Sequence, residues 1–154
     1  MSFAGTDRRS STVTHFSSDD EIDRIGRGLL DRSLPKAEWT HAAHFAAAAW
    51  VLRRPGLDAL RDMPGLIRAY NEATGVHNTD TTGYHETITL ASLRAARAWL
   101  RDRPGVPLFA ALNDLLAAEY GRPEWLLAYW SRPVLFCVAA RRGWVEPDLR
   151  AFAF

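Results

Sequence analysis

The chain has 154 residues, 47% of them hydrophobic and 24% charged, and its 19 basic and 18 acidic side chains leave a formal net charge of +1. Such values suit one globular domain with one core and exclude disordered and fibrous classes. The interspersed charges argue against a nucleic-acid partner, which is met by a one-signed patch, and the single cysteine excludes an intramolecular disulfide.

Residues 1–17 are rich in Ser, Thr, Arg and Gly without periodicity, so a flexible N-terminal segment is expected, followed by one helical domain over 18–154. Ser18-Asp19-Asp20-Glu21 has capping-box spacing and predicts a helix over about 19–32, with Ile22, Ile25, Leu29 and Leu30 as its buried stripe. Pro35 suits the first turn of a second helix ending near Arg54. Its alanines, Ala42, Ala43 and Ala46 to Ala49, allow close approach of neighbours, which makes it the expected central helix. Helical spacing sets His41, His44, Phe45 and Ala48 on one face.

From Leu57 to Thr74 the pattern is again helical, with Pro64-Gly65 expected to break or kink it. A polar loop over 76–83 precedes a long helix from about Tyr84 to Arg103, whose Arg94, Arg97 and Arg101 read as a solvated stripe. Thr82 is a candidate cap for its first turn. Pro107 opens a helix to about Tyr120, a short aromatic helix spans 123–130, and Ser131 is a candidate cap for 133–142. The aromatic tail from Gly143 to Phe154 is expected to pack back onto the body. Cys137, between Phe136 and Val138, reads as a buried thiol acting as a small hydrophobe. No stretch shows strand alternation, so the expected fold is all-α, a compact single-domain bundle of about six or seven helices. Residues 1–18 have no signal-peptide core, and the apolar run Phe45 to Leu52 is too short to span a bilayer. A cytoplasmic protein without a membrane partner is therefore expected.

Two stretches carry the candidate chemistry. His41 and His44, three residues apart on one helix, present two imidazoles that can share one metal ion, or else simply satisfy backbone carbonyls. Tyr84-His85-Glu86 puts a phenol, an imidazole and a carboxylate at a helix start, where a carboxylate is also favoured by the helix dipole alone. The leading reading is a small-molecule enzyme with its site between these stretches. His85, Glu86 and Tyr84 would be catalytic, and His41, His44, His85 and Glu86 would hold a divalent transition metal, zinc, iron or manganese. Metal-assisted hydrolysis or a related lyase or isomerase step is the expected class. Trp39, Asn71, Asn78, Thr79 and Trp130 are candidate ligand-binding residues, although Asn78 to Thr82 also suit the satisfaction of turn amides, and the tryptophans suit core packing. The alternative is a non-catalytic ligand-binding or protein-interaction domain in which the polar cluster is structural. The aromatic C-terminal third offers a surface for a homodimer, without a pattern that fixes a symmetry.

No phosphate loop, dinucleotide fingerprint, Gly-x-Ser-x-Gly elbow or Cys-x-x-Cys pair is present, so ATPase, dehydrogenase, serine hydrolase and structural-zinc readings fall away. Trp39-Thr40-His41-x-x-His44, Asn78-Thr79, Gly83-Tyr84-His85-Glu86-Thr87-Ile88-Thr89 and Tyr129-Trp130-Ser131 in combination resemble a family of small bacterial proteins of unknown function. That resemblance covers roughly residues 35–150, and it implies a compact domain and a choice of polar segments but no reaction or cofactor.

Overall fold

The computed structural model describes residues 16–154; residues 1–15, most of the expected flexible segment and His15 with it, lie outside the described residues. Among the described residues the fold is all-α, with seven α-helices and no strand. They are α1 (Asp19–Leu30), α2 (His41–Arg53), α3 (Ala59–Ala73), α4 (Glu86–Arg101), α5 (Leu108–Ala117), α6 (Arg132–Leu135) and α7 (Val138–Arg142). Short 3-10 turns lie at Lys36–Glu38, Glu119–Gly121 and Trp125–Ala128. None of the helices is long and apolar enough to cross a membrane.

Helix α2 is the centre of the bundle. Ala43, Ala46, Ala47, Ala48 and Ala49 are all at most 3% exposed, and Phe45, Trp50 and Val51 are buried beside them. Small side chains let the axes of neighbouring helices come close, and α1 answers with glycines. A Cβ on Gly26 would stand 2.1 Å from Cδ2 of Trp50. The indole fills the space that the glycine leaves open, its Nε1–H donates to Asp23 Oδ1 at 2.9 Å, and Arg54 covers the ring at 4.7 Å. Burying a tryptophan is worth on the order of 4 kcal/mol at about 25 cal/mol per Å², well above the roughly 1 kcal/mol that a glycine costs a helix.

Several element boundaries differ from expectation. Pro35 does not open α2. It precedes the Lys36–Glu38 turn, and α2 starts only at His41, where the Thr40 hydroxyl accepts from the Ala43 amide at 3.2 Å. Ser18 occupies the N-cap of α1 but makes no side-chain cap bond; Glu21 instead takes the Ser17 amide and hydroxyl, so the reciprocal capping box is shifted. Pro64 does not break α3, which runs unbroken through it. The missing amide costs one bond, while Met63, Ile67 and Tyr70 stay buried on a single face, and Asp58 and Asp62 close the first turn at 2.9 and 2.7 Å. The segment expected as one helix over 133–142 is two, separated at Phe136 and Cys137.

Cys137 is not a core thiol. It is half-buried, its Sγ accepts from the Ala140 amide at 3.4 Å at the start of α7, and its neighbours Phe136 and Val138 are exposed. The arginine stripe of α4 is only partly solvated, because Arg94 stacks on the Trp144 ring at 4.1 Å. At the two ends, Phe16 is buried and exchanges backbone bonds with the Asn113 side chain, while the aromatic tail packs back as expected. Phe152 sits among Trp125, Tyr129, Trp130 and Trp144.

The Gly26 fit yields a sharp expectation. Gly26→Ala improves helix propensity by about 1 kcal/mol yet forces a methyl into the Trp50 ring, so a net loss of roughly 1–3 kcal/mol is expected. Urea unfolding followed by far-UV circular dichroism measures it; a stabilised variant would contradict that packing.

Candidate functional site

The Gly83 to Thr87 segment is the strongest chemical candidate in the sequence, and most of its polar groups bond other parts of the chain. Gly83 adopts φ +77°, and a Cβ there would meet the His77 carbonyl oxygen at 2.5 Å. Tyr84 is buried under the Arg68 guanidinium, 4.4 Å from the ring centroid, and its hydroxyl donates to Glu86 Oε2 at 2.6 Å. Burial, reinforced by that carboxylate, pushes the phenol well above its ordinary range. Thr87, fully buried, puts its hydroxyl 2.8 Å from the carbonyls of Ala140 and Gly143 and accepts from the Val145 amide.

His85 is the N-cap of α4, a role expected of Thr82. Its Nδ1 accepts from the Ile88 amide at 3.2 Å, which leaves the proton on Nε2 to be donated to the Leu135 carbonyl at 2.8 Å. Burial lowers its pKa, and with both ring nitrogens occupied His85 neither ligates a metal nor acts as a base in this arrangement. The four donors His41, His44, His85 and Glu86 are not gathered: among the described residues no group of three His, Cys, Asp or Glu side chains is placed to hold a metal ion.

The loop residues are likewise occupied. Asn78 Oδ1 accepts from Asn71 Nδ2 and from the Tyr84 amide, both at 3.0 Å, and its own amide donates to the Arg68 carbonyl. Thr79 bonds Thr82 through both backbone and hydroxyl, and Asp80 pairs with Arg142 at 2.7 Å. Trp130 is fully buried, with its Nε1–H on the Val145 carbonyl. Asn71, Asn78, Thr79 and Trp130 therefore shape the fold, and none of them lines the cavity beside α2.

That cavity, about 300 Å³, lies between α2, α3, α4 and the Trp125–Ala128 turn. His41, His44, Phe45 and Ala48 face it from α2, the four residues that helical spacing put on one face. Met63 and Ile67 close it from α3, Ile88, Thr89, Ser92 and Leu93 from α4, and Pro123, Trp125 and Leu126 from the far side. Sequence reasoning missed Thr89, Ser92 and Trp125. Two hydroxyls a helical turn apart, between Ile88 and Leu93, were the available signal.

The two imidazoles have fixed roles. His41 donates from Nε2 to the Tyr120 carbonyl at 2.7 Å, and its ring meets Phe45 edge-on at 5.3 Å. His44 donates from Nδ1 to the Thr40 carbonyl at 2.7 Å, which leaves Nε2 as an acceptor without a protein partner among the described residues. Trp39 stacks on the His44 ring, with centroids 3.8 Å apart, but does not itself line the cavity. Crowding by protein lowers the His44 pKa to about 4, against the opposing Thr40 bond. The side chain is nevertheless exposed to water, which weakens that depression without reversing its direction. His44 is neutral at pH 7.

Comparison with family models, with curated proteins and with solved structures found no significant match to the chain.

The bonding of His85 makes it a stability determinant. His85→Ala removes a cap and strands the buried Leu135 carbonyl, so a loss of roughly 1–3 kcal/mol is expected, with a smaller loss for His85→Asn, which caps well; urea midpoints of the two variants check it. Stability also depends on pH, because both His44 and His85 have folded pKa values below the unfolded value of about 6.5. The unfolded chain therefore binds more protons below that pH, and stability present above it is lost as pH falls from about 6.5 towards 4. Urea midpoints between pH 7.5 and 4.5 should fall in the wild type and flatten in a His44→Gln/His85→Asn double variant.

Proposed function

We propose that the protein binds a small, largely apolar molecule in the cavity between α2, α3 and α4. The observation that carries this reading is the cavity's make-up. It is a concave site walled mainly by Phe45, Met63, Ile67, Ile88, Leu93 and Trp125, into which α2 also brings two imidazoles. Small-molecule sites combine an apolar wall with a few convergent polar groups, and about 300 Å³ is at the lower end of their usual size.

An enzymatic role is the second reading, favoured by the fixed tautomer of His44, whose Nε2 is free to accept a proton. In that case the general base is His44, and not His85 or Glu86. A divalent metal on His41 and His44 would draw its remaining ligands from water or from the bound molecule.

Methyl NMR with toluene as the probe tests the binding reading. Saturable shifts confined to Met63, Ile67, Ile88 and Leu93 are expected, and they should vanish in a folded Ser92→Phe variant that fills the cavity from α4. Shifts scattered over the surface, or none at all, would remove the proposal.

A further inference from the structure

The lining of the cavity decides which class of molecule it accepts, and the inference drawn from that lining rests on the binding reading. Among the described residues no Asp, Glu, Lys or Arg lines the cavity. A charged ligand would leave water without a counter-charge, at a cost of several kcal/mol. The lining thus selects against carboxylates, phosphates and amines before any shape is considered.

Its two imidazoles offer only acceptor nitrogens, while the Thr89 and Ser92 hydroxyls can accept or donate. Thr40 holds the His44 proton on Nδ1, so Nε2 offers a lone pair and nothing else. The Ser92 hydroxyl makes no protein hydrogen bond among the described residues, and every sealed side-chain nitrogen or oxygen has a partner. Trp125 and Phe45, both buried and with ring centroids 6.4 Å apart, line the cavity with aromatic side chains. Aromatic rings stack favourably on such faces at offset or edge-on geometry.

We infer that the cavity selects an uncharged aromatic molecule carrying a hydroxyl or N–H donor, held by donation to His44 Nε2 while its ring packs between Phe45, Ile67, Leu93 and Trp125. A phenol-like compound is the simplest member of that class. A ligand that only accepts hydrogen bonds gains nothing from Nε2, whose lone pair is left to water at the exposed edge of the ring.

Isothermal titration calorimetry at pH 7 with four matched probes tests this: p-cresol, p-xylene, 4-methylanisole and p-toluate. The expected result is that p-cresol binds about tenfold more tightly than p-xylene and 4-methylanisole, as one hydrogen bond implies, and that p-toluate binds weakest. His44→Phe preserves an aromatic ring for Trp39 to stack on but removes the acceptor, so it should bring p-cresol down to the level of p-xylene. His44→Gln, with an amide oxygen, should recover part of the difference. If p-cresol and p-xylene bind alike in the wild type, or if p-toluate binds tightest, the donor inference is overturned while the binding reading stands. If none of the four binds, the binding reading falls and this inference falls with it.

Discussion

The hydrogen bond from His85 Nε2 to the Leu135 carbonyl, with Nδ1 of the same ring capping α4, sets much of the architecture. A single buried imidazole fixes where the longest helix begins and ties that beginning to α6, fifty residues later in the chain. Thr87 extends the tie to α7 and the tail, and Arg141 adds bonds to the carbonyls of Gly83 and Tyr84. Each is a side chain satisfying a backbone group that would otherwise be stranded where helices end. Such bonds contribute modestly one by one, but an unmet carbonyl or amide in their place would cost more.

This clasp changes the meaning of the polar cluster. A phenol, an imidazole and a carboxylate at a helix start have the composition of a catalytic site, yet here both nitrogens of His85 are spent on backbone groups and the Tyr84 hydroxyl on Glu86. The imidazoles of α2 differ. Each gives one nitrogen to a carbonyl and retains the other, and both border a cavity whose remaining wall is apolar apart from Thr89 and Ser92. Histidine side chains alike in sequence terms thus divide into one with both ring nitrogens bonded to the chain and two that each keep a nitrogen free beside the cavity.

The cavity exists because of the same close packing that characterises the centre of the bundle. Ala48 contributes almost no volume at the point where α2 passes α4, and bulk is supplied around the margin by Phe45, Leu93 and Trp125. On the opposite face of α2 the fit is tight, with Trp50 filling the space above Gly26. Helix α2 is therefore closely packed on one side and leaves a pocket on the other, and its histidines belong to the pocket side.

Local sequence determined a good deal. Apolar periodicity and the Pro and Gly stops set the all-α class and the rough extent of most helices, since these depend on each segment's own propensity. The i, i+3, i+4 spacing also placed His41, His44, Phe45 and Ala48 on one face, because an α-helix has only one geometry. What tertiary structure alone decided was the employment of each polar group. Whether His85 caps, ligates or catalyses depends on the Leu135 carbonyl beside it, and whether Thr89 and Ser92 matter depends on the gap opposite Ala48. Those neighbours are set by long-range packing, and a hydrogen bond is specified by the partner it meets as much as by the residue that makes it.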